Sequence, residues 1–367
     1  MRVVILTSIM APHRIAPFNA LASLPDIDLT VIYLAVTDPT RNWDTYAAEM
    51  GFRHVVLREH VRWRRGEAFV HLSSGLAAAL RRAQPHVIVV GGWDQPSYLE
   101  AFLLGAIRRV PVIWWAESTL RDRRMSGGLA ARAKAWLVSR AAVVVVPGVA
   151  ARDYLVSMGA EPDHIWVAPN AVDNDVYRAA SRSRENRRGP VRFLFVGRLE
   201  SAKGILYLLD AWSGLRVPGY LTIAGDGPLA GRIARRVATT SLPPVELVGH
   251  LDRARLAGIY GEADVFVFPS VSDPWGLVLN EAMASGLPLI TTDPPGAVDD
   301  LVTDGDNGLV VPPFASEGLL RAMDRLAADR TLRLSMGRRS AERIRAFEPS
   351  AWADGVVGAV HAATAGR

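Results

Sequence analysis

The chain contains no cysteine, which excludes a disulfide framework, a thiolate metal site and a cysteine nucleophile, and is compatible with a cytoplasmic setting. It also lacks any apolar run near the ~18 residues that a membrane-spanning helix needs. The apolar stretch that opens MRVVILTSIMAPHR is short, and it reads as a first buried strand and its loop rather than a signal peptide. No internal repeat or low-complexity tract is present. Excess charge is missing from one half only. Residues 1–172 hold 19 Lys+Arg against 14 Asp+Glu, whereas residues 173–367 hold 23 of each, with a local basic run at Arg178–Arg192. A basic first half suits an anionic ligand or an acidic membrane surface, and an ordinary solvated surface in an Arg-rich chain has the same composition.

What is present is material for two cores. The chain has 367 residues, half of them hydrophobic and 22% charged, and exceeds the size at which one core usually stops growing. Continuous β-rich runs at 2–7, 28–35, 86–91, 110–115 and 142–147 predict parallel strands buried on both faces. Helical spacing of apolar residues separates them at 71–83, 96–109 and 129–140. A second series of strands is expected at 191–197, 220–225, 245–250, 263–269 and 288–292. This alternation predicts two doubly wound α/β domains. Residues 173–190 are polar and Arg-rich and read as a linker. SAWADGVVGAVHAAT (350–364) reads as a final amphipathic helix with Ser350 as its N-cap. Ligands of open α/β sheets bind beyond the carboxyl ends of the strands, so two such domains are expected to face each other across a cleft.

Two stretches of the second half carry chemistry. In ADVFVFPSVSDPWGLVLNEAMASG (263–286) a strand stops at Pro269, an acidic loop follows, and a helix begins after Gly276. The backbone N–H groups of Gly276, Leu277 and Val278, at a helix start with its partial positive charge, suit a diphosphate. Asp273 in the loop and Glu281 within the helix are placed to accept hydrogen bonds from hydroxyls of a sugar and a ribose. In VGRLESAKG (196–204), Gly197 and Arg198 follow a strand and Lys203 opens a helix. Fixed cations there would meet the negative charge that gathers on a departing nucleoside diphosphate, Arg as a two-point grip and Lys as a point charge. AGDGPL (224–229) adds a glycine turn in which Gly225 and Gly227 permit close backbone approach, and VGHL (248–251) brings His250 and Leu251 to another strand end. Taken singly, each of these also has an ordinary structural use in turns, caps and surfaces.

As a set, VGRLESAKG, AGDGP and FPSVSDPWGLVLNEAMASGLPLITT followed by GLVVPP resemble the retaining glycosyltransferases of family 4 across about residues 190–315. The resemblance implies the GT-B fold, in which two facing Rossmann-like domains enclose an interdomain cleft and a C-terminal helix returns to the first domain. Residues 1–172 with the helix at about 349–367 would form the acceptor domain, and 173–348, opening with the linker, the nucleotide-sugar domain. By the same resemblance Arg198 and Lys203 bind the diphosphate, Glu281 holds the ribose, and Trp275 belongs with the donor-binding loop. Transfer would be metal-independent, with retained anomeric configuration and no cofactor beyond the nucleotide sugar as substrate. The family usually has a glutamate where this chain has Asp273, one methylene shorter. The implied partners are an NDP-sugar donor, with a UDP-sugar expected, and a small-molecule, lipid-linked or polysaccharide acceptor. Peripheral contact with the inner face of a membrane is compatible, and no nucleic acid is expected. A nucleotide-sugar epimerase and a nucleotide-sugar-binding protein without catalysis are the alternatives.

The first half departs from the family pattern. It lacks the glycine-rich loop after the first strand and the histidine after a later one. His13 and Arg14 stand in the first loop instead, and Glu117 is expected to take the histidine's place. Arg121, Arg123 and Arg124 suit an anionic acceptor or a solvated loop. Trp93, Trp114 and Trp115 stand at strand ends, where stacking on a sugar or acceptor competes with core packing as their use. Arg132, Lys134 and Arg140, beside Leu129, Trp136 and Leu137, would suit a membrane-surface helix or an ordinary domain helix.

Overall fold

Runs of Val, Ile and Leu without polar alternation need apolar cover on both faces of a sheet, and that demand organises the chain. The computed structural model describes residues 1–39, 44–65, 68–121, 128–180 and 187–365. It divides into two units, Met1–Val172 with Pro349–Arg367, and Asp173–Glu348.

The first unit contains β1 (Arg2–Ile9), β2 (Asp28–Ala35), β3 (Arg53–Val56), β4 (Arg58–Arg65), β5 (Ala68–Ser74), β6 (Val87–Val90), β7 (Val112–Trp115), β8 (Val143–Val146) and β9 (Ile165–Val167). Seven of these form a sheet in the order β3-β2-β1-β6-β7-β8-β9, parallel throughout. Alternate residues feed two cores. Val4, Leu6, Ile88 and Trp114 pack to one side, and Val3, Ile5, Val89 and Trp115 to the other. The second of these cores is closed by the helix Pro349–Thr364, whose Trp352 is fully buried against Phe18 and Trp115. This helix starts with Pro349, whose missing N–H is one that a first turn leaves unpaired anyway, so Ser350 lies inside the helix rather than capping it.

The second unit contains β10 (Val191–Val196), β11 (Gly219–Ala224), β12 (Val245–Gly249), β13 (Val265–Phe268), β14 (Leu289–Thr292) and β15 (Gly308–Val311). They form one parallel sheet in the order β12-β11-β10-β13-β14-β15, the doubly wound order of a Rossmann fold. Among the described residues no helix is long and apolar enough to cross a membrane.

Two further sequence expectations change. The helix expected over 71–83 is strand as far as Ser74, because Gly75 at φ +102° turns the chain before the helix Leu76–Ala83. That strand pairs antiparallel with β4 in a separate hairpin; the cationic run REHVRWRR hides its β character from a pattern built on apolar residues. Within the stretch read as linker, Asn174–Ala180 is a helix that buries Asn174 and Tyr177 in the second unit.

Candidate active site

In a doubly wound sheet the crevice opens where the strand order reverses. In the second unit that point lies between β10 and β13, so two motifs 70 residues apart leave neighbouring strands side by side. Lys203 Nζ donates to Asp273 Oδ2 at 2.6 Å, with side chains only 11% and 17% exposed. The two loops are also tied through their backbones. The Ser270 hydroxyl and the Val271 N–H both donate to the Ala202 carbonyl. Gly204, at φ +69°, lies so close to Pro269 that a Cβ there would collide with the Pro269 carbonyl.

The acidic loop is braced from its other side. Asp273 Oδ1 accepts from the Trp275 N–H, while the Asp273 and Trp275 carbonyls accept from the N–H groups of Gly296 and Ala297. Gly276, at φ +98°, then turns the chain into the helix Leu277–Ala284, which no side chain of the described residues caps. The first-turn N–H groups, those of Leu277 and Val278 among them, are thus not taken up by a side-chain cap among the described residues. The Trp275 ring is buried, with its Nε1 donating to Asn280 Oδ1 at 2.9 Å. What Trp275 offers the site is backbone, not a ring face.

Glu281 lies further along this helix. Its Oε2 accepts from the Tyr260 hydroxyl at 2.8 Å, and Tyr260 packs edge-on against Tyr177. Burial raises the Glu281 pKa to about 7, against hydrogen bonds from Tyr260 and Tyr177 that lower it. Neither tyrosine was legible as a site residue, since each reads as core.

Arg198 is held by Glu200, 3.5 Å from its guanidinium. Glu200 is itself buried, and its Oε1 has no hydrogen-bond partner among the described residues. An acid in a loop carries no sequence signal, so nothing in the sequence singles out Glu200. Gly225 and Gly227 have a structural use: a Cβ on either would collide with the backbone of Gly197 or Leu199. They let the loops after β10 and β11 pack on each other. The Gly225 N–H also donates to the Gly249 carbonyl, which brings exposed His250 and half-buried Leu251 to the same sheet edge.

In the first unit the strand order reverses between β1 and β6. Arg14, in the loop after β1, donates to Glu117 Oε1 at 2.5 Å and to Asn170 Oδ1 at 2.8 Å, and Asn170 Nδ2 donates to the same Glu117 oxygen at 3.1 Å. Asn170, which follows β9, is fully buried. It completes a triad of which sequence reading found two members, its only signal being an Asn behind a strand-ending Pro. The Arg14 guanidinium lies 4.3 Å over the Trp115 ring, and that ring is buried in the core. Trp115 therefore supports Arg14 and presents no free face for stacking. The Trp114 ring is likewise buried, with its Nε1 on the Gly92 carbonyl. His13 is half-buried beside the triad and Arg121 is exposed; Arg123 and Arg124 lie outside the described residues. Lys134 and Leu137 are buried, with Lys134 against the Trp93 and Tyr154 rings, so neither belongs to an exposed helix face.

The sequence model described as Glycosyltransferase Family 4 matches residues 19–176, and that described as Glycosyl transferases group 1 matches residues 190–329. The glycogen synthase of Mycobacterium tuberculosis is 32% identical over 254 residues, 65% of this chain and 61% of that protein. The alpha-D-kanosaminyltransferase of Streptomyces kanamyceticus is 30% identical over 46% of this chain and 45% of its own length. The chain thus spans less than two thirds of the curated relatives it matches. Among solved structures, HepE of Anabaena in complex with UDP superposes with a TM-score of 0.79 at 18% identity, covering 98% of this chain and 99% of that one. Sucrose-phosphate synthase of Thermosynechococcus elongatus superposes at 0.78 and 21% identity over the whole of both chains. At these identities the superpositions establish the GT-B fold, and with both halves of the sequence matched the chain belongs to glycosyltransferase family 4.

Proposed function

We propose that the protein is a retaining glycosyltransferase, which moves a sugar from a nucleotide-sugar donor to an acceptor hydroxyl without a metal. The Lys203–Asp273 pair beside an uncapped helix start carries this reading. A donor diphosphate would compete with Asp273 for Lys203. The released carboxylate then becomes free to accept from a sugar hydroxyl, and the first-turn amides meet the phosphate oxygens. Arg198 supplies the second cation and Glu281 holds the ribose. A UDP-linked donor is supported by HepE, which is described in complex with UDP and with UDP-glucose.

In the reaction the bond from the anomeric carbon to the phosphate oxygen breaks on the face where the acceptor oxygen bonds. The acceptor proton leaves with the phosphate oxygen. Charge gathers on the diphosphate as the bond lengthens, and fixed cations lower that barrier without reorganising. We assign the acceptor to the first unit, at the triad of Arg14, Glu117 and Asn170 with His13 beside it. Its class, whether small molecule, lipid-linked sugar or polysaccharide, is a matter for the acceptor panel below.

The test is transfer from UDP-sugars to such a panel, with and without chelator, and with the product anomer read by NMR. Lys203→Ala and Arg198→Ala should each lower turnover on the order of 100-fold. Full activity in both variants would remove the diphosphate assignment. Sugar interconversion without any acceptor would identify an epimerase instead.

A further inference from the structure

The helix Pro96–Arg108 of the first unit buries Ser97, Tyr98, Ala101, Phe102 and Gly105, and what it leaves exposed is apolar. Leu99, Leu103 and Ile107, at i, i+4 and i+8, are 44%, 60% and 69% exposed and form one stripe on the helix surface. A surface helix ordinarily shows charge there. The stripe is extended sideways by Trp136 of the helix Leu129–Arg140, 42% exposed, whose ring lies 5.9 Å from that of Phe102. Trp136 stands between exposed Arg132 and Arg140, again at i, i+4 and i+8.

We infer that this face, with Leu99, Leu103, Ile107 and Trp136 at its centre and Arg132 and Arg140 at its edge, docks onto a lipid bilayer carrying anionic headgroups. The charge decides the occupant. Among the residues of these two helices the only acid is Glu100, which is half-buried and whose pKa burial raises. A second copy of the chain meeting this face on a two-fold axis would set arginine against arginine. An anionic bilayer satisfies both halves of the pattern: the aliphatic stripe enters the acyl boundary, Trp136 sits at headgroup depth, and the arginines meet phosphate. The inference rests on the two helices alone and does not depend on the proposed transfer reaction.

The full chain should co-float with phosphatidylcholine vesicles containing phosphatidylglycerol, and not with phosphatidylcholine alone. The double substitution Leu103→Asp/Ile107→Asp should weaken partitioning more than tenfold. Both side chains are more than half exposed, so the melting temperature should be unchanged. Arg132→Gln/Arg140→Gln is the second arm, expected to cost about fivefold for each arginine, with binding of the parent weakening as salt rises. Absence of binding to the anionic vesicles would overturn the inference, as would binding that neither double variant reduces. It is equally overturned if the chain sediments as a dimer in lipid-free buffer and Leu103→Asp/Ile107→Asp makes it monomeric, since the face would then be a self-association surface.

Discussion

At the scale of single residues the second unit's site is a set of charges held in tension. Glu281 shows this most clearly. Its ordinary pKa near 4.5 is raised to about 7 by burial, and the Tyr260 and Tyr177 hydroxyls offset part of the shift. A carboxyl raised in this way contributes stability that is fully present below about pH 4.5 and is lost as pH rises through about 7. With the ribose placed at Glu281 as proposed, ligand binding has the opposite sign, because a ribose hydroxyl would donate to the ionised form. Affinity for a nucleotide sugar, whose diphosphate diester does not itself titrate in this range, should therefore improve about tenfold between pH 6 and 8. Tyr260→Phe removes a hydrogen bond that favours the carboxylate, so the midpoint should move up. Calorimetric titration across pH measures both effects; a pH-independent affinity, or a midpoint that falls in the variant, would remove Glu281 from the ribose. The residues that could be read from sequence here were those with a motif around them: Arg198, Lys203, Asp273 and Glu281. Glu200, Asn170, Tyr177 and Tyr260 were not legible. Each acts by holding another side chain, and that relation exists only once distant strands are adjacent.

At the scale of elements, the glycines of the two motifs join loops. Gly204 follows Lys203 directly, and a phosphate-binding loop is the natural reading of such a sequence. The fold gives it a different necessity: its φ of +69° and its approach to the Pro269 carbonyl let the loop after β10 rest on the end of β13. The register of Lys203 on Asp273 depends on that approach. Gly204→Ala should consequently lower stability by more than about 2 kcal/mol, through the left-handed conformation and the collision together, or roughly 4–8 °C in melting temperature. Gly231→Ala is the control. It lies in the helix Ala230–Thr239 with nothing within 4 Å of a Cβ, and should be neutral or slightly stabilising. If both variants melt together with the parent, the close approach is not a constraint. The same scale shows where patterns mislead. Continuous Val/Ile runs such as VVVV at 143–146 announce buried strands, whereas REHVRWRR forms a strand with none of that signature, because its hairpin is exposed along one edge.

For the whole molecule, the sheet order of the second unit explains how residues spread over 197–281 come to lie along one sheet edge. The reversal between β10 and β13 puts the cationic loop and the acidic loop on adjacent strand ends, and Gly225 and Gly249 extend the same edge across β11 and β12. A ligand gripping four loops of one sheet edge binds the folded state and not the unfolded chain, so its free energy appears as stability. At a free concentration of 100 Kd the gain is about 2.7 kcal/mol, which for a unit of this size moves melting by roughly 5–10 °C. The expected order is set by the groups contacted. On the proposed placing of the diphosphate against the cations and the helix amides, UDP should shift melting well above uridine. Lys203→Ala should abolish most of the difference between them while leaving the small shift from uridine alone. GDP and ADP, screened alongside, share the ribose and the diphosphate and differ only at the base, so the spacing among the three reads the contribution of the loops near His250, while TDP also lacks the ribose 2′-hydroxyl and adds a reading of the sugar contact. If uridine and UDP shift melting equally in the parent protein, the phosphates are not held by this sheet edge.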